Sequence, residues 1–321
     1  MAIDTNHPES HSVLVTGGAG FLGGHLCDRL LEQGHRVICM DNLMTGSRDV
    51  VQRHMQHAHY TFIEHDVIDA FPVGLKPTQI YNLACPASPR HYQKDPIHTV
   101  RTCVMGSLNV LELAVSCGAT ILQASTSEIY GDPKEHPQRE QYLGNVNPVG
   151  PRACYDEGKR CAETLFADYA RKANLQVKIA RIFNTYGPGM SVDDGRVVST
   201  FISQALAGEP LTVYGDGSQT RSVCYVDDLI AGLIALMNSP DSVQGPVNLG
   251  STEELTVREI AERVCELAGR TLEISYLPLP TDDPLIRRPD ISLARKYLDW
   301  VPTIPFEEGL RRTIAYFAVN T

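Results

Sequence analysis

The 321-residue chain has little that would suit it to a membrane or to nucleic acid. Its longest apolar run, near residues 229–237, is far shorter than the roughly 20 residues of a membrane-spanning helix. Its net charge of −10 argues against a nucleic-acid or anionic-membrane surface, since either favours clustered Lys and Arg. The start, Met1 to Ser12, lacks an apolar stretch, so we expect neither a secretory signal nor a membrane anchor.

Cysteine and histidine patterns also exclude some classes of site. The nine cysteines are odd in number, scattered and without close pairing along the chain, which predicts buried reduced thiols of a cytoplasmic protein rather than a disulfide or zinc framework. The eleven histidines show no metal-ligand spacing, so we expect no metal. A composition of 43% hydrophobic and 21% charged residues is that of an ordinary soluble globular protein.

A glycine-rich turn near the start predicts a dinucleotide site. The β-rich run Ser12 to Thr16 leads into Gly17, Gly20 and Gly23, and a helical pattern then continues to Gly34. Glycines at this spacing let the backbone approach a pyrophosphate and direct the helix N-terminus at its charge. The context of strand, turn and helix makes this a specific prediction.

The next strand, Arg36 to Met40, ends at Asp41, a carboxylate placed to accept hydrogen bonds from the ribose hydroxyls of an adenosine. Because Asp41 would repel a ribose 2′-phosphate, NAD is favoured over NADP as the cofactor; Arg48 is a candidate phosphate partner that keeps NADP open. Further cofactor-binding positions are predicted at Phe21, Leu22, Asn42, Asp66, Val67, Leu83 and Ala84.

Strands and helices continue to alternate after this point, which predicts an α/β fold with a Rossmann-like doubly wound parallel sheet. We assign residues 1–185, with about 221–239, to an NAD-binding domain, and residues 186–220 and 240–321 to a smaller α/β lobe that binds the substrate. Residues 131–152 contain four prolines and no periodic pattern, and an ordered loop of this length is typical of a functional lid.

A cluster of reactive groups lies between residues 125 and 159. Tyr155 and Lys159 are one helical turn apart and share a face, and Thr126, Ser127 and Glu128 follow a predicted strand. An ammonium group near the phenol stabilises the phenolate and lowers its pKa from about 10. We therefore expect Tyr155 to act as a general base.

These features resemble the extended short-chain dehydrogenase/reductases that act on nucleotide sugars, from about Val13 to Thr313. Besides the glycine turn, the segments that carry the resemblance are Ser125-Thr126-Ser127-Glu128-Ile129-Tyr130-Gly131, Tyr155 with Lys159, and Arg181-Ile182-Phe183-Asn184-Thr185-Tyr186-Gly187-Pro188. Longer segments are most similar to the UDP-glucuronate decarboxylase subfamily: Asn82-Leu83-Ala84-Cys85-Pro86-Ala87-Ser88-Pro89, Asn145-Val146-Asn147-Pro148 and Cys154-Tyr155-Asp156-Glu157-Gly158-Lys159-Arg160.

The resemblance implies a carboxy-lyase with UDP-glucuronate as its substrate. NAD takes hydride from C4 of the sugar, the ketone loses carbon dioxide, and hydride returns to the UDP-4-keto-pentose to give UDP-xylose. The implied catalytic residues are Thr126, Ser127, Glu128, Tyr155, Lys159 and Arg221. Related dehydratases carry Asp where this chain has Ser127, so dehydration is disfavoured. Arg221 either pairs with the substrate carboxylate or donates the proton at C5.

The resemblance also implies how substrate and a second subunit bind. Substrate-binding residues are expected at Ser88, Tyr92, Asn184, Arg196, Tyr225 and Arg287. A homodimer through a four-helix interface would use the helices from Ile97 to Cys117 and from Tyr155 to Ala173. Two alternatives stay open: a UDP-glucuronate 4-epimerase, which Glu128 disfavours, and a regulatory protein that binds NAD without turnover, which intact Thr126, Tyr155 and Lys159 disfavour.

Overall fold

A computed structural model describes residues 11–320. Residues 1–10, most of the polar start from Met1 to Ser12, therefore lie outside the described residues. The strands, in chain order, are β1 (Ser12–Thr16), β2 (Arg36–Asp41), β3 (Tyr60–Glu64), β4 (Gln79–Asn82), β5 (Thr120–Thr126), β6 (Val177–Ile182), β7 (Thr185–Tyr186), β8 (Leu211–Tyr214), β9 (Thr220–Ser222), β10 (Cys224–Tyr225), β11 (Val247–Leu249), β12 (Glu254–Thr256) and β13 (Ile274–Leu277).

Helices cover both faces of the central sheet, which seven of these strands form. In chain order they are α1 (Phe21–Glu32), α2 (Arg48–His54), α3 (Pro89–Tyr92), α4 (Pro96–Arg101), α5 (Ser107–Cys117), α6 (Ala153–Ala173), α7 (Val197–Ala207), α8 (Val226–Met237), α9 (Val257–Ala268), α10 (Ser292–Leu298) and α11 (Phe306–Asn320). A π-helical turn, Thr102–Gly106, joins α4 to α5, and a 3₁₀ turn, Ser127–Tyr130, follows β5.

The central sheet has seven parallel strands in the order β11-β6-β5-β4-β1-β2-β3. Its strands are apolar on both faces: Val13, Leu14 and Val15 of β1 are all fully buried. One core lies between the sheet and α1 with α8, and a second lies beneath α5 and α6. The doubly wound prediction is confirmed. The order in which successive strands are added to the sheet reverses between β1 and β4. In doubly wound sheets a crevice forms at this point, outside the carboxyl ends of the strands.

Some parts of the fold differ from the expectation. No helix joins β3 to β4, and α2 has only seven residues, so the helical stretches between the early strands are shorter than predicted. Val247–Leu249, assigned to the smaller lobe, pairs with β6 and extends the central sheet. The rest of that lobe has short two-stranded pairings, β8 with β13 and β9 with β12, beside α7, α9 and α11.

The expected lid, residues 131–152, lies mainly beside the substrate crevice instead of over it. Gly131 bridges to Asn145, Gln138 bridges to Pro289, and Arg181 Nη1 donates to the Glu140 carbonyl at 2.8 Å. Only Arg152, at its end, lines the central cavity. About half of the segment is exposed, and it is attached to the rest of the fold at these points.

Helix α4, the π turn and α5 form one continuous helix from Pro96 to Cys117. All three parts pack against α6. By length and composition alone this helix could cross a membrane, a test that core helices of soluble proteins also meet. Polar residues such as His98 and Arg101 interrupt the apolar residues of this helix, so it does not form a long uninterrupted apolar run in the sequence. All nine cysteines are free; Cys161 is exposed, contrary to the expectation of buried thiols.

A buried lysine ties β6 to the end of α8. Lys178 is 1% exposed, and its Nζ donates to the carbonyls of Ser239, Pro240 and Val243 at 2.8–3.0 Å. These carbonyls lie just beyond the last turn of the helix, where a cation is favoured. The ammonium thus replaces water as the donor to three backbone acceptors.

Replacing this lysine tests the structural role. We expect Lys178→Met to lower the free energy of unfolding by about 3 kcal/mol, because the acceptors lose a charged donor. Urea unfolding followed by circular dichroism measures the change. Lys172→Met, at the exposed end of α6, is the control and should match the unchanged chain. Equal midpoints for all three proteins would contradict the role.

Candidate active site

One cavity of about 1480 Å³ opens along the carboxyl edge of the central sheet. It is lined by the glycine turn, by the residues that follow β2, β4 and β5, by the start of α6 and by segments of the smaller lobe. Every predicted site residue lines it except Tyr225 and the candidate phosphate partner Arg48. Residues spread from Gly17 to Arg287 are therefore brought together in one place, as the strand topology requires.

The glycine turn forms a cradle that side chains would fill. A Cβ atom on Gly17, whose φ is +71°, would lie 2.9 Å from the Ala84 Cα, and one on Gly23 would lie 2.1 Å from the Gly17 carbonyl oxygen. Helix α1 begins here with Gly20 as its N-cap and no side-chain cap. Its first N–H groups are therefore available to a phosphate.

Asp41 ends β2 beside this cradle. Its Oδ2 accepts a hydrogen bond from the Ala19 N–H at 3.0 Å and its Oδ1 one from the Leu43 N–H at 2.8 Å, which fixes the carboxylate. Burial raises the pKa of Asp41, and the two backbone N–H groups oppose that rise. Arg48 instead pairs with Glu64 on the surface and does not line the cavity. The residues that line this end of the cavity fit NAD, and the Asp41 carboxylate would repel a 2′-phosphate there.

Asp66 is fixed in the same way at the next strand end. Its Oδ2 accepts from Asn42 Nδ2 at 2.7 Å and from His98 Nε2 at 2.9 Å. Burial acts to raise the pKa of Asp66, but hydrogen bonds from Ile68, Asn42 and His98 outweigh it and lower the pKa. The fixed carboxylate suits an amine such as that of adenine.

Tyr155 and Lys159 lie on the first two turns of α6, against the end of β5. Lys159 Nζ donates to the Ala124 carbonyl at 2.9 Å and lies 5.8 Å from the centre of the Tyr155 ring. Burial raises the pKa of Tyr155 well above its ordinary value, while a hydrogen bond with Thr126 lowers it. The expectation of a lowered pKa is wrong for the chain by itself, because the ring is almost fully enclosed.

Tyr92 covers the Tyr155 ring. The two rings stack at 5.0 Å between centroids with 2° between their planes, and the Tyr92 hydroxyl is buried with no partner in the described structure. Ser88, the N-cap of α3, lines the cavity and bonds His91 at 2.8 Å. Tyr225 packs instead against Tyr186 and away from the cavity, so its expected place at the sugar is not supported by the geometry.

Glu128 is held between two arginines at the end of β5. Its Oε2 accepts from Arg152 Nη2 at 2.6 Å, and its Oε1 accepts from Arg287 Nη1 at 3.2 Å. Arg287 Nη1 also donates to Ser127 Oγ at 2.8 Å. Burial acts to raise the pKa of Glu128, but the charges of Arg287 and Arg152 outweigh it and lower the pKa to about 2. Glu128 is therefore an anion at neutral pH.

A second carboxylate extends this cluster. Asp283 Oδ2 accepts from Arg221 Nη2 at 2.8 Å, and Asp283 Oδ1 accepts from Arg152 Nη1 at 3.3 Å. The result is a chain of alternating charge along one wall of the cavity, in the order Arg287, Glu128, Arg152, Asp283 and Arg221. This wall faces the Tyr155 region and can hold an anionic group.

The expected nucleotide-binding residues occupy two different places. Asn184 and Arg196 line the cavity, and Arg196 forms a two-pronged pair with Asp194 at 2.5 and 2.9 Å. Arg287 does not lie with them, because its guanidinium contacts Ser127 and Glu128 at the reactive end.

Two residues of the charged wall were not predicted. Arg152 precedes Tyr155 by three residues, so helical spacing could have placed the two on one face. Asp283 lies in a loop with no periodic pattern, and no sequence signal marks it. Within residues 11–320, no group of three or more His, Cys, Asp and Glu side chains is arranged to hold a metal.

Similar proteins include curated relatives and solved structures. The chain is 52% identical over 306 residues to UDP-glucuronic acid decarboxylase 1 of Danio rerio, covering 95% of this chain and 72% of that one. It is 53% identical over 305 residues to UDP-glucuronic acid decarboxylase 1 of Arabidopsis thaliana, covering 95% and 69%.

Among solved structures, the fold is similar to UDP-glucose 4-epimerase of Thermotoga maritima with UDP-glucose. The TM-score is 0.89 at 29% identity, over 96% of this chain and 99% of that one. It is also similar to UDP-glucuronic acid 4-epimerase of Bacillus cereus with UDP-glucuronic acid and NAD. There the TM-score is 0.87 at 26% identity, over 97% and 100%.

The family described as "NAD dependent epimerase/dehydratase family" matches residues 13–250. The match spans the glycine turn, the end of β5 and the Tyr155 helix. The chain belongs to this NAD dependent epimerase/dehydratase family.

Proposed function

We propose that the protein is a carboxy-lyase that converts UDP-glucuronate to UDP-xylose through a UDP-4-keto-pentose, with NAD as its cofactor. The observation that carries this proposal is the charged wall: Arg152 and Arg287 hold an ionised Glu128, and Arg221 is linked to Arg152 through Asp283, in the cavity that Tyr155 also lines. A sugar that carries a carboxylate has its natural partners there. Relatives at 52–53% identity named UDP-glucuronic acid decarboxylase support the same reaction.

The cofactor residues follow from the cradle. Gly17, Gly20 and Gly23 with the α1 N-terminus would hold the pyrophosphate, Asp41 the ribose hydroxyls and Asp66 the adenine amine. When bound, NAD accepts hydride from C4 and returns it, and its positively charged ring favours the Tyr155 phenolate. Phe21, Leu22, Asn42, Val67, Leu83 and Ala84 line the same part of the cavity.

Tyr155 takes the proton of the sugar 4-hydroxyl in this proposal. Lys159, fixed on the Ala124 carbonyl, supplies the nearby positive charge, and the Thr126 hydroxyl bonds the same oxygen. When carbon dioxide leaves from the β-keto acid, negative charge develops at O4, and Tyr155 with Thr126 stabilises it. Both groups are almost fully enclosed, which strengthens these interactions.

Glu128 and its arginines act at the other end of the sugar. With a pKa of about 2, Glu128 cannot supply a proton at neutral pH, so its role is that of an acceptor that orients Arg152 and Arg287. The guanidinium N–H groups are then hydrogen-bond donors near C5, and the proton that replaces the lost carboxylate at C5 is supplied by a solvent water held there. Ser127 accepts from Arg287 and is no acid for a leaving hydroxyl, which disfavours dehydration. Arg221 is the proposed partner of the substrate carboxylate.

A UDP-glucuronate 4-epimerase is the second candidate, and the similarity to the Bacillus cereus epimerase structure favours it. An epimerase would share the oxidation but retain the carboxylate. The ionised, doubly paired Glu128 favours decarboxylation. A protein that binds NAD without turnover would not need Thr126, Tyr155 and Lys159 to line the same cavity, so their presence together disfavours that alternative.

We also propose how the protein assembles and where it is located. Ile97, Val100, Met105 and Val115, on the helix from Pro96 to Cys117, are 39–65% exposed, an apolar surface that a homodimer through α4–α5 and α6 would cover. We place the enzyme in the cytoplasm, without a nucleic-acid partner or a membrane. The division into an NAD-binding domain and a smaller nucleotide-sugar lobe stays a prediction.

The reaction is tested by a proton NMR time course of the protein with UDP-glucuronate and NAD. We expect the spectrum of a five-carbon sugar, UDP-xylose, together with carbon dioxide. Formation of UDP-galacturonate would support the epimerase, and unchanged substrate would support the protein without turnover.

The proposed base gives a direct prediction. Tyr155→Phe should lower kcat for carbon dioxide release by about 10²–10⁴-fold, because general-base catalysis at the 4-hydroxyl is lost, and should leave the Kd for NAD nearly unchanged. Tyr169→Phe, on the same helix and outside the cavity, is the matched control. Equal kcat for the two variants would exclude Tyr155 as the base.

Cofactor choice gives a second prediction. Asp41→Asn should raise the Kd for NAD by about tenfold and reduce the preference for NAD over NADP, because the repulsion of a 2′-phosphate is removed. Fluorescence titration measures both constants. Asp69→Asn, on an exposed loop outside the cavity, should change neither. An undiminished preference in Asp41→Asn would mean that another residue selects the cofactor.

Asp156 is a buried acid behind the charged wall. Its Oδ1 has no partner in the described structure, and burial, followed by the charge of Glu128, raises the pKa of Asp156 to about 8. The opposing charges of Arg152 and Arg287 reduce the rise. Asp156 is therefore neutral at pH 7, whereas Glu128 is ionised.

This pKa predicts how stability depends on pH. Because the folded pKa lies above the unfolded value of about 3.9, stability decreases as pH rises between the two values. Asp156→Asn, neutral at every pH, should melt at a higher temperature than the unchanged chain at pH 8.5, with a smaller difference at pH 5. Differential scanning calorimetry measures this, and a difference independent of pH would contradict the raised pKa.

A further inference from the structure

A carboxylate of the protein itself bridges two arginines inside the cavity. Asp283 bonds Arg221 at 2.8 Å through one oxygen and Arg152 at 3.3 Å through the other. All three residues line the cavity, and both arginines are more than nine-tenths buried. The bridge marks a position where a carboxylate fits between two cations.

The two arginines are held in place by contacts other than Asp283. Arg152 Nη2 donates to Glu128 at 2.6 Å, and Arg221 Nη1 donates to the Thr220 carbonyl at 2.8 Å within β9. If Asp283 moved away, the guanidinium groups would remain near each other without the anion between them. Buried charges without a partner are costly, so another anion must then take the position.

Asp283 is itself weakly attached. It lies between β13 and α10, in a segment, residues 278–291, with no helix or strand, and its side chain is 21% exposed. The segment is tied to β9 from Leu285 onward, where the Thr220 N–H donates to the Leu285 carbonyl at 3.0 Å, so the mobile part is the stretch before that residue. Besides the arginines, its own backbone N–H bonds Pro280 at 3.3 Å, and the adjacent Asp282 accepts from Asn147 at 3.1 and 3.4 Å on the surface. Glu128, in contrast, is fixed in the turn after β5. Of the two carboxylates, Asp283 is the one that can move.

We propose that Asp283 holds the place of the substrate carboxylate and is exchanged for it on binding. The inference rests on the proposed function, since it takes UDP-glucuronate as the ligand. The exchange replaces one carboxylate with another, so the charge between Arg152 and Arg221 is unchanged. A nucleotide sugar without a carboxylate cannot make the exchange. Such a ligand binds with Asp283 still bonded to the two arginines, so the exchange is confined to ligands that carry a carboxylate.

The test is a comparison of two ligands. In a Tyr155→Phe background with NAD present, so that substrate is not consumed, calorimetric titration gives the Kd for UDP-glucuronate and for UDP-glucose. Asp283→Asn should lower the Kd for UDP-glucuronate by about tenfold, because the ligand no longer competes with an internal carboxylate, and should change that for UDP-glucose less than about threefold. A weaker or unchanged affinity for UDP-glucuronate, or an equal change for both ligands, would overturn the proposal.

Asp282→Asn is the matched control: it lies next to Asp283, outside the cavity lining, and should leave both constants unchanged. A second measurement needs no variant at position 283. In the same background, amide hydrogen exchange of residues 278–286 should become faster with UDP-glucuronate and not with UDP-glucose. Equal protection by both ligands would overturn the exchange.

The test is separate from that of the reaction. Absence of carbon dioxide release from the unchanged chain would contradict the proposed function, whereas the two titrations measure only binding. If the unchanged chain releases carbon dioxide but Asp283→Asn leaves the Kd for UDP-glucuronate unaltered, the proposed function is retained and this role of Asp283 is excluded.

Discussion

The site depends on one ionised carboxylate held between two arginines that come from different parts of the chain. Glu128 follows β5, Arg152 precedes α6, and Arg287 follows a loop of the smaller lobe. A buried carboxylate is stable only with its partners in place, and each arginine in turn needs the carboxylate. The central sheet, the Tyr155 helix and the smaller lobe must therefore meet in one arrangement for any of the three charges to be buried.

A second buried network keeps the Tyr155 helix against the sheet. Arg181 of β6 donates to both oxygens of Glu163 of α6 at 2.8 and 2.9 Å, and Ser125 of β5 donates to the same carboxylate at 2.5 Å. The strand that ends in Thr126 is thereby tied to the helix that carries Tyr155. Arg181 and Glu163 lie outside the cavity lining and Ser125 is part of it, so the register between the two catalytic groups is fixed from behind the site.

Sequence reasoning succeeded where local pattern and topology agree. The strand of residues 12–16, the helix of residues 257–268 and the convergence of strand ends on one cavity all follow from apolar periodicity and from parallel strand order. The residues at strand ends, Asp41, Asp66 and Thr126, were found because that topology fixes where a strand end lies.

It failed where tertiary contact decides. The pKa of Tyr155 rises because the fold encloses its ring, a burial that the spacing to Lys159 cannot reveal. Arg287 was assigned to the nucleotide, since its distance from Ser127 along the chain, 160 residues, gives no sign of their contact. Asp283 carries no local signal, and the loop of residues 131–152 has the composition of a lid although only Arg152 of it lines the cavity.

The most direct test of this account is the rate of carbon dioxide release by Glu128→Gln with UDP-glucuronate and NAD. Glutamine keeps the size of the side chain and removes its charge, so Arg152 and Arg287 lose their shared anion. We predict that release falls by about 10²–10³-fold while the Kd for NAD is retained, because the charged wall no longer holds its arginines at C5. A rate equal to that of the unchanged chain would contradict the dependence of the site on this carboxylate.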